Sequence, residues 1–105
     1  MYAAIRRYHT APGVVAEISR RVTAGFVPIV QNAPGFVAYY VVDEGNGALT
    51  SVSIFEDQAG AEESSRRAAA WVQEQLAALL PNPPQITTGT VLVQCVGERK
   101  LVTSR

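Results

Sequence analysis

The chain has 105 residues, 48% of them hydrophobic and 17% charged, and its nine basic and nine acidic side chains cancel to a formal net charge of zero. That length fits one domain able to bury roughly 60–65% of its unfolded surface, and the apolar content excludes a wholly disordered chain. Arg6-Arg7, Arg20-Arg21 and Arg66-Arg67 are dispersed among carboxylates such as Glu17, Glu62 and Glu63, so no basic stripe marks nucleic-acid binding.

Tyr2 to Tyr8, rich in Ala, Ile and Tyr, reads as a first strand that stops at His9-Thr10-Ala11-Pro12-Gly13. Thr10 is a suitable helix cap, and Pro12 suits a first helical turn, where its missing N–H is no loss. Val15, Ile18, Val22, Phe26 and Ile29 then recur at helical spacing, with Glu17, Arg20 and Arg21 turned outward. Gly25 and Pro28 predict a kink or fraying in the last turns. Gln31 to Gly35 reads as a turn.

Phe36 to Asp43, dense in aromatic and β-branched residues, is the clearest strand. Glu44-Gly45-Asn46-Gly47 supplies the positive-φ residues of a hairpin. Ala48 to Phe55 returns as its partner, with Leu49, Ser51, Ser53 and Phe55 on one face and Thr50, Val52 and Ile54 on the other. Asp57 can cap a second helix, with Glu62 and Glu63 near its positive end. Its buried stripe is Ala61, Ala68, Val72, Leu76 and Leu79, and Pro81-Asn82-Pro83-Pro84 ends it. Gly89 to Val96 reads as the last strand. Residues 1–96 thus form the domain and 97–105 a polar tail.

The order β-α-β-β-α-β predicts a ferredoxin-like α+β fold, a four-stranded antiparallel sheet with both helices on one face. A sheet face left to water should alternate toward polar residues. Phe36 to Val42 and Val91 to Val96 are instead apolar or aromatic on both faces. Such a face exposes on the order of 500 Å², the top of the range for a monomer. Pairing two of them gains roughly 25 kcal/mol gross, against an association cost of about 4–15 kcal/mol. A homodimer is the expectation; the plainer alternative is that the tail or a helix covers the face within one chain.

His9 and Cys95 are the only strong nitrogen and sulfur ligands, too few for a metal cluster, and one cysteine excludes an internal disulfide. There is no Gly-x-Ser-x-Gly elbow, and Gly45-Asn46-Gly47 opens no helix that would make it a phosphate loop. The acidic pairs Asp43-Glu44, Glu56-Asp57 and Glu62-Glu63 fit solvated charge on turns and a helix start. His9, at a strand end, is either a general base near neutral pH or a loop hydrogen-bonding residue. Trp71, at the flank of the second helix's stripe, either walls a cleft against the sheet or seals the core edge. Tyr39 and Tyr40 point to opposite faces, one toward the helices and the other toward the dimer face. Cys95 reads as an inert strand residue. The N-terminal stretch lacks the apolar core of a signal peptide and no run approaches the ~20 apolar residues of a membrane span, so a cytoplasmic location is expected.

Ala33-Pro34-Gly35-Phe36-Val37-Ala38-Tyr39-Tyr40 entering the second strand, Trp71-Val72 on the second helix, and the Pro-rich turn before Gly89-Thr90-Val91-Leu92-Val93 carry a family likeness. Over about residues 2–96 the chain resembles the antibiotic biosynthesis monooxygenase family of dimeric α+β barrels. That family includes cofactor-free oxygenases that oxidise aromatic polyketide phenols to quinones, haem-degrading enzymes, and many members without known activity. In the cofactor-free group the substrate anion itself reduces oxygen within a dry pocket. The resemblance implies that Trp71 lines such a pocket, with His9 or Arg67 favouring the substrate anion and Tyr39 or Tyr40 contacting it. Arg67 stands where the cofactor-free members resembled place an Asn, and Leu79-Leu80-Pro81 where haem-degrading members carry a proximal His. The expected function is therefore a cofactor-independent monooxygenase on a small aromatic or polyphenolic molecule, with no cofactor and no metal. The alternatives are a non-catalytic small-molecule-binding or stress-linked dimer, or an interaction module using the open sheet face.

Overall fold

The computed structural model describes residues 1–97, with strands β1 (Tyr2–His9), β2 (Phe36–Gly45), β3 (Ala48–Phe55) and β4 (Gln85–Thr90). All pair antiparallel in the order β2-β3-β1-β4, the expected ferredoxin-like sheet. The helical layer holds α1 (Val15–Arg21), α2 (Val27–Gln31) and α3 (Gln58–Gln75), with a 3₁₀ turn at Pro12–Val14 and a π turn at Val22–Phe26 joining α1 to α2. No helix among the described residues is long and apolar enough to cross a membrane.

The first helical segment continues through a π turn instead of fraying. Pro28 has no N–H to donate, and Val27 N–H reaches back five residues to the Val22 carbonyl. The wider π turn shifts the helical phase by one residue. Val30, not Ile29, is therefore buried after Ile18 and Phe26, and Ile29 is exposed. Thr10 does not cap this helix: its hydroxyl donates to the Leu79 carbonyl at 2.6 Å, and Ala11 occupies the cap position without a side-chain bond. Asp57 does cap α3, accepting from Gly60 N–H at 2.8 Å. Glu62 and Glu63 lie beyond its first turn, and Glu63 pairs instead with Arg66 and Arg67. The helix ends at Gln75, ahead of the prolines. Leu76 and Leu80 then turn into the core, so Leu80 is buried where Leu79 is only partly so.

The β2–β3 hairpin turns on Asn46 and Gly47, both at positive φ, as a two-residue loop requires. At Gly47 a Cβ would fall 1.8 Å from the Thr10 carbonyl oxygen, so only glycine lets this turn dock on the β1 end. β3 alternates as expected, with Leu49, Ser53 and Phe55 buried against the helices. A bulge between Phe36 and Ala38 leaves Tyr39 opposite Ser53 and Tyr40 opposite Val52. The two tyrosines therefore occupy opposite faces.

The fourth strand differs from the expected Gly89–Val96, overlapping it only at Gly89 and Thr90. β1 is the limit: Tyr2 pairs with Thr90, and Val91 N–H makes one further bond to the Met1 carbonyl. Beyond it β1 offers no further partner. The β-branched Ile86, Thr87 and Thr88 fill the ladder, while the apolar run after it projects past the sheet, leaving Leu92 90% and Val93 85% exposed. Of the expected tail only Gly97 is among the described residues.

Candidate active site between helices and sheet

The core divides in two. Tyr8, Ile18, Leu49, Leu76 and Leu80 form one cluster; Phe26, Val30, Phe55, Ala61 and Ala68 form the other. Val22 and Trp71 pack against both. Between the clusters lies an inner cavity of about 40 Å³, roofed by Ile18, Phe26, Trp71 and Leu76 and floored by sheet residues that include Arg6, Tyr39, Ser51 and Ser53.

Trp71 reaches this space because of Gly25. In the π turn a Cβ at Gly25 would lie 2.9 Å from the indole Cζ2, so the ring occupies the volume a side chain would fill. Phe26, next in the turn, stands with its ring centroid 5.6 Å from those of both Trp71 and Tyr39. These tilted aromatic contacts hold the roof against the floor.

The floor carries the polar groups. Strand alternation turns Ala4, Arg6 and Tyr8 of β1 toward the helices, and Arg6 is only 4% exposed. Its Nη2 donates to the Ser65 carbonyl of α3 at 3.0 Å. Burial raises the pKa of the Tyr8 phenol, opposed by the Arg6 charge. Tyr39 is raised further, by burial first and then by Tyr8. Both phenols are therefore neutral O–H groups near pH 7.

A second, open groove of about 360 Å³ adjoins this cavity and shares Arg6, Tyr8, Val72 and Leu80 with it. Its outer walls come from Ala69 of α3, the Pro81–Pro84 segment and Ile86 of β4. The inner cavity suits a water or a diatomic gas, whereas about 150 Å³ is needed to take up benzene. The groove falls in the range of small-molecule sites.

Of the residues singled out from sequence, Trp71 and Tyr39 come together at the inner cavity. The others do not. Tyr40 is 55% exposed on the open sheet face. Arg67 lies on the outer side of α3, its Nε 3.2 Å from Glu63. His9 is exposed and borders a separate depression with Thr10, Leu79 and Asn82. Arg6 and Tyr8 were overlooked, although the spacing Tyr2, Ala4, Arg6, Tyr8 on a strand flanked by helices was visible. The Arg6-Arg7 doublet reads as surface charge until alternation is applied to it.

A family model described as antibiotic biosynthesis monooxygenase matches residues 1–73, a span that includes β1, β2, β3 and Trp71. The chain belongs to that family. No curated protein sequence matches the chain. Among solved structures, the family fold recurs in the NE2512 protein of unknown function from Nitrosomonas europaea, with TM-score 0.78, 22% identity, and coverage of 92% of this chain and 94% of that one. It recurs in a Streptomyces coelicolor monooxygenase from the gene ActVA-Orf6, in complex with nanaomycin D, at TM-score 0.73 and 17% identity over 92% of each chain. SnoaB, a cofactor-independent oxygenase from Streptomyces nogalater, matches at TM-score 0.66 and 17% identity, covering 92% of this chain and 97% of that one. At these identities the likeness is one of fold.

Haem, which some antibiotic biosynthesis monooxygenase family members degrade, does not fit the residues present. Leu79, Leu80 and Pro81 follow α3, the single His of the chain borders a different depression, and the inner cavity is far smaller than a porphyrin. Among the described residues no three His, Cys, Asp or Glu side chains group to hold a metal ion.

Proposed function

We propose that the chain is a cofactor-independent monooxygenase acting on a small aromatic or polyphenolic molecule, working as a cytoplasmic homodimer. The observation that carries this reading is the largely apolar cavity under Trp71, sized for dioxygen and adjoining a groove that can hold the ring, in the fold of the family to which the chain belongs. Such a reaction replaces a ring CH₂ by C=O while the second oxygen atom leaves as water, so the substrate supplies all four electrons. The protein then has three tasks: to exclude water, to hold the ring, and to favour the reactive anion. Ile18, Phe26, Trp71 and Leu76 serve the first. Tyr39 and Tyr8, as neutral donors, can hydrogen-bond a substrate oxygen. His9 and Arg67 line neither the cavity nor the groove, and this reading assigns them no role.

Pairing follows from the exposed apolar groups. Tyr40 and Val42 stand open on the face away from the helices, beside half-buried Ile5, Val52 and Ile54. A second copy covering this face is the occupant that best explains both it and the projecting Leu92 and Val93.

Oxygen uptake by metal-chelated protein with a panel of anthrones and dihydroxyaromatics tests the reading. Turnover that survives chelation and falls in Trp71→Phe is the expected result. A second reading, a non-catalytic small-molecule-binding dimer, is favoured by Arg67 in the place of the expected Asn. Binding without oxygen uptake across the panel would select it.

A further inference from the structure

We propose that Arg6 is an anion-binding residue that seats the carboxylate of an aromatic acid lying in the outer groove. The exposed arginines of β1, α1 and α3 all have carboxylate partners: Arg7 with Glu44, Arg20 and Arg21 with Glu17, Arg66 and Arg67 with Glu63. Arg6, the one buried arginine among the described residues, has no carboxylate partner within 4.0 Å there. That inverts the usual order, since a buried charge is costly unless paired, whereas an exposed one needs no partner. The surroundings supply no internal anion. Tyr8 and Tyr39 hold their protons, and the only side-chain hydrogen bond from Arg6 among the described residues is to the Ser65 carbonyl.

Arg6 borders both the inner cavity and the groove, so a ligand group entering from outside meets it. A planar guanidinium fork matches a carboxylate with two parallel hydrogen bonds. Ser51, paired with Arg6 across the β1–β3 ladder, and Tyr8 add hydroxyls at the same wall. Away from that wall the groove is mainly apolar, lined by Ala69, Val72, Pro84 and Ile86, with Gln73 and Asn82 as its polar side chains. Its volume of about 360 Å³ accepts one or two fused rings, and the inner cavity of about 40 Å³ accepts none. The carboxylate end therefore points inward and the ring outward. That the apolar part is a ring and not an alkyl chain rests on the function proposed above; the anion site itself does not.

Calorimetric titration of the whole protein with 1-naphthoate and with 1-naphthamide, its neutral counterpart, tests the assignment without requiring turnover. Naphthoate should bind at least about tenfold more tightly, a difference of about 1.4 kcal/mol. Arg6→Gln should abolish that preference and Arg6→Lys should retain part of it. Equal affinities in the unmodified protein, binding of neither compound, or a preference that survives Arg6→Gln would each overturn the proposal. If Arg6→Gln fails to fold, the acid–amide difference in the unmodified protein and in Arg6→Lys decides. The two readings fail separately. Oxygen uptake with neutral phenols and no naphthoate preference removes only the Arg6 site, and naphthoate binding without any oxygen uptake removes only the oxygenase.

Discussion

Trp71 touches both halves of the core and the cavity between them, so its two roles must be separated by substitution. Trp71→Ala removes the roof and should cost roughly 3–5 kcal/mol of stability. Trp71→Phe keeps much of the apolar contact with Phe26 while removing the indole N–H. If Trp71 anchors the substrate, Trp71→Phe should weaken turnover with little change in Tm; full activity in that variant would return it to a packing role. The buried phenols make a separate prediction. Tyr8 and Tyr39 have folded pKa values above the ordinary value of 10.0, chiefly because burial disfavours the phenolate. A group whose folded pKa is raised contributes undiminished stability below the unfolded value, and that stability is lost as pH rises above it. Denaturant melts should therefore show stability falling above about pH 10, less steeply in Tyr39→Phe. An identical slope in that variant would show that Tyr39 ionises as freely as in the unfolded chain.

At the scale of elements, the π turn is the feature on which the cavity depends. Gly25→Ala would place a methyl group against the indole at 2.9 Å. Overpacking of this kind costs roughly 1–3 kcal/mol, against a helix-propensity gain of about 1 kcal/mol for replacing Gly. The variant should melt lower and shift the Trp71 emission. In a Trp71→Phe background the penalty should shrink, which a double-mutant cycle measures; equal costs in both backgrounds would mean that the indole is not what Gly25 accommodates. Neither the turn nor its consequence was legible beforehand. Gly25 and Pro28 announced an interruption, but a π turn and a fray have the same residues, and only the burial of Val30 in place of Ile29 separates them. The order of elements was legible, because alternation in β3 and the Asn46-Gly47 hairpin depend on near neighbours. The end of β4 was not, because it is set by where β1 runs out, a contact across the sheet. Arg6 escaped for a related reason: a charge doublet gives no sign of which member faces inward until its strand's two faces are assigned.

At the scale of the whole molecule, the described residues leave one sheet face and the side chains of Leu92, Val93 and Val96 apolar and uncovered, and this argues for two copies acting together. Tyr40→Asp should lower the light-scattering mass from twice the chain value toward 11.3 kDa, because a carboxylate on an apolar interface is desolvated without a partner. Tyr39→Asp should instead damage the core of each copy and lower Tm. A mass of one chain for the unmodified protein at micromolar concentration would contradict the pairing. The assembly matters to the chemistry only if bound substrate reduces oxygen at the cavity. Reaction of the chelated protein with an anthrone substrate under ¹⁸O₂, followed by mass spectrometry, tests that claim most directly. The account predicts one ¹⁸O atom in the product carbonyl for each turnover and loss of that label in heat-unfolded controls. Substrate bound with quenched Trp71 emission, but no label incorporated above the control, would contradict it.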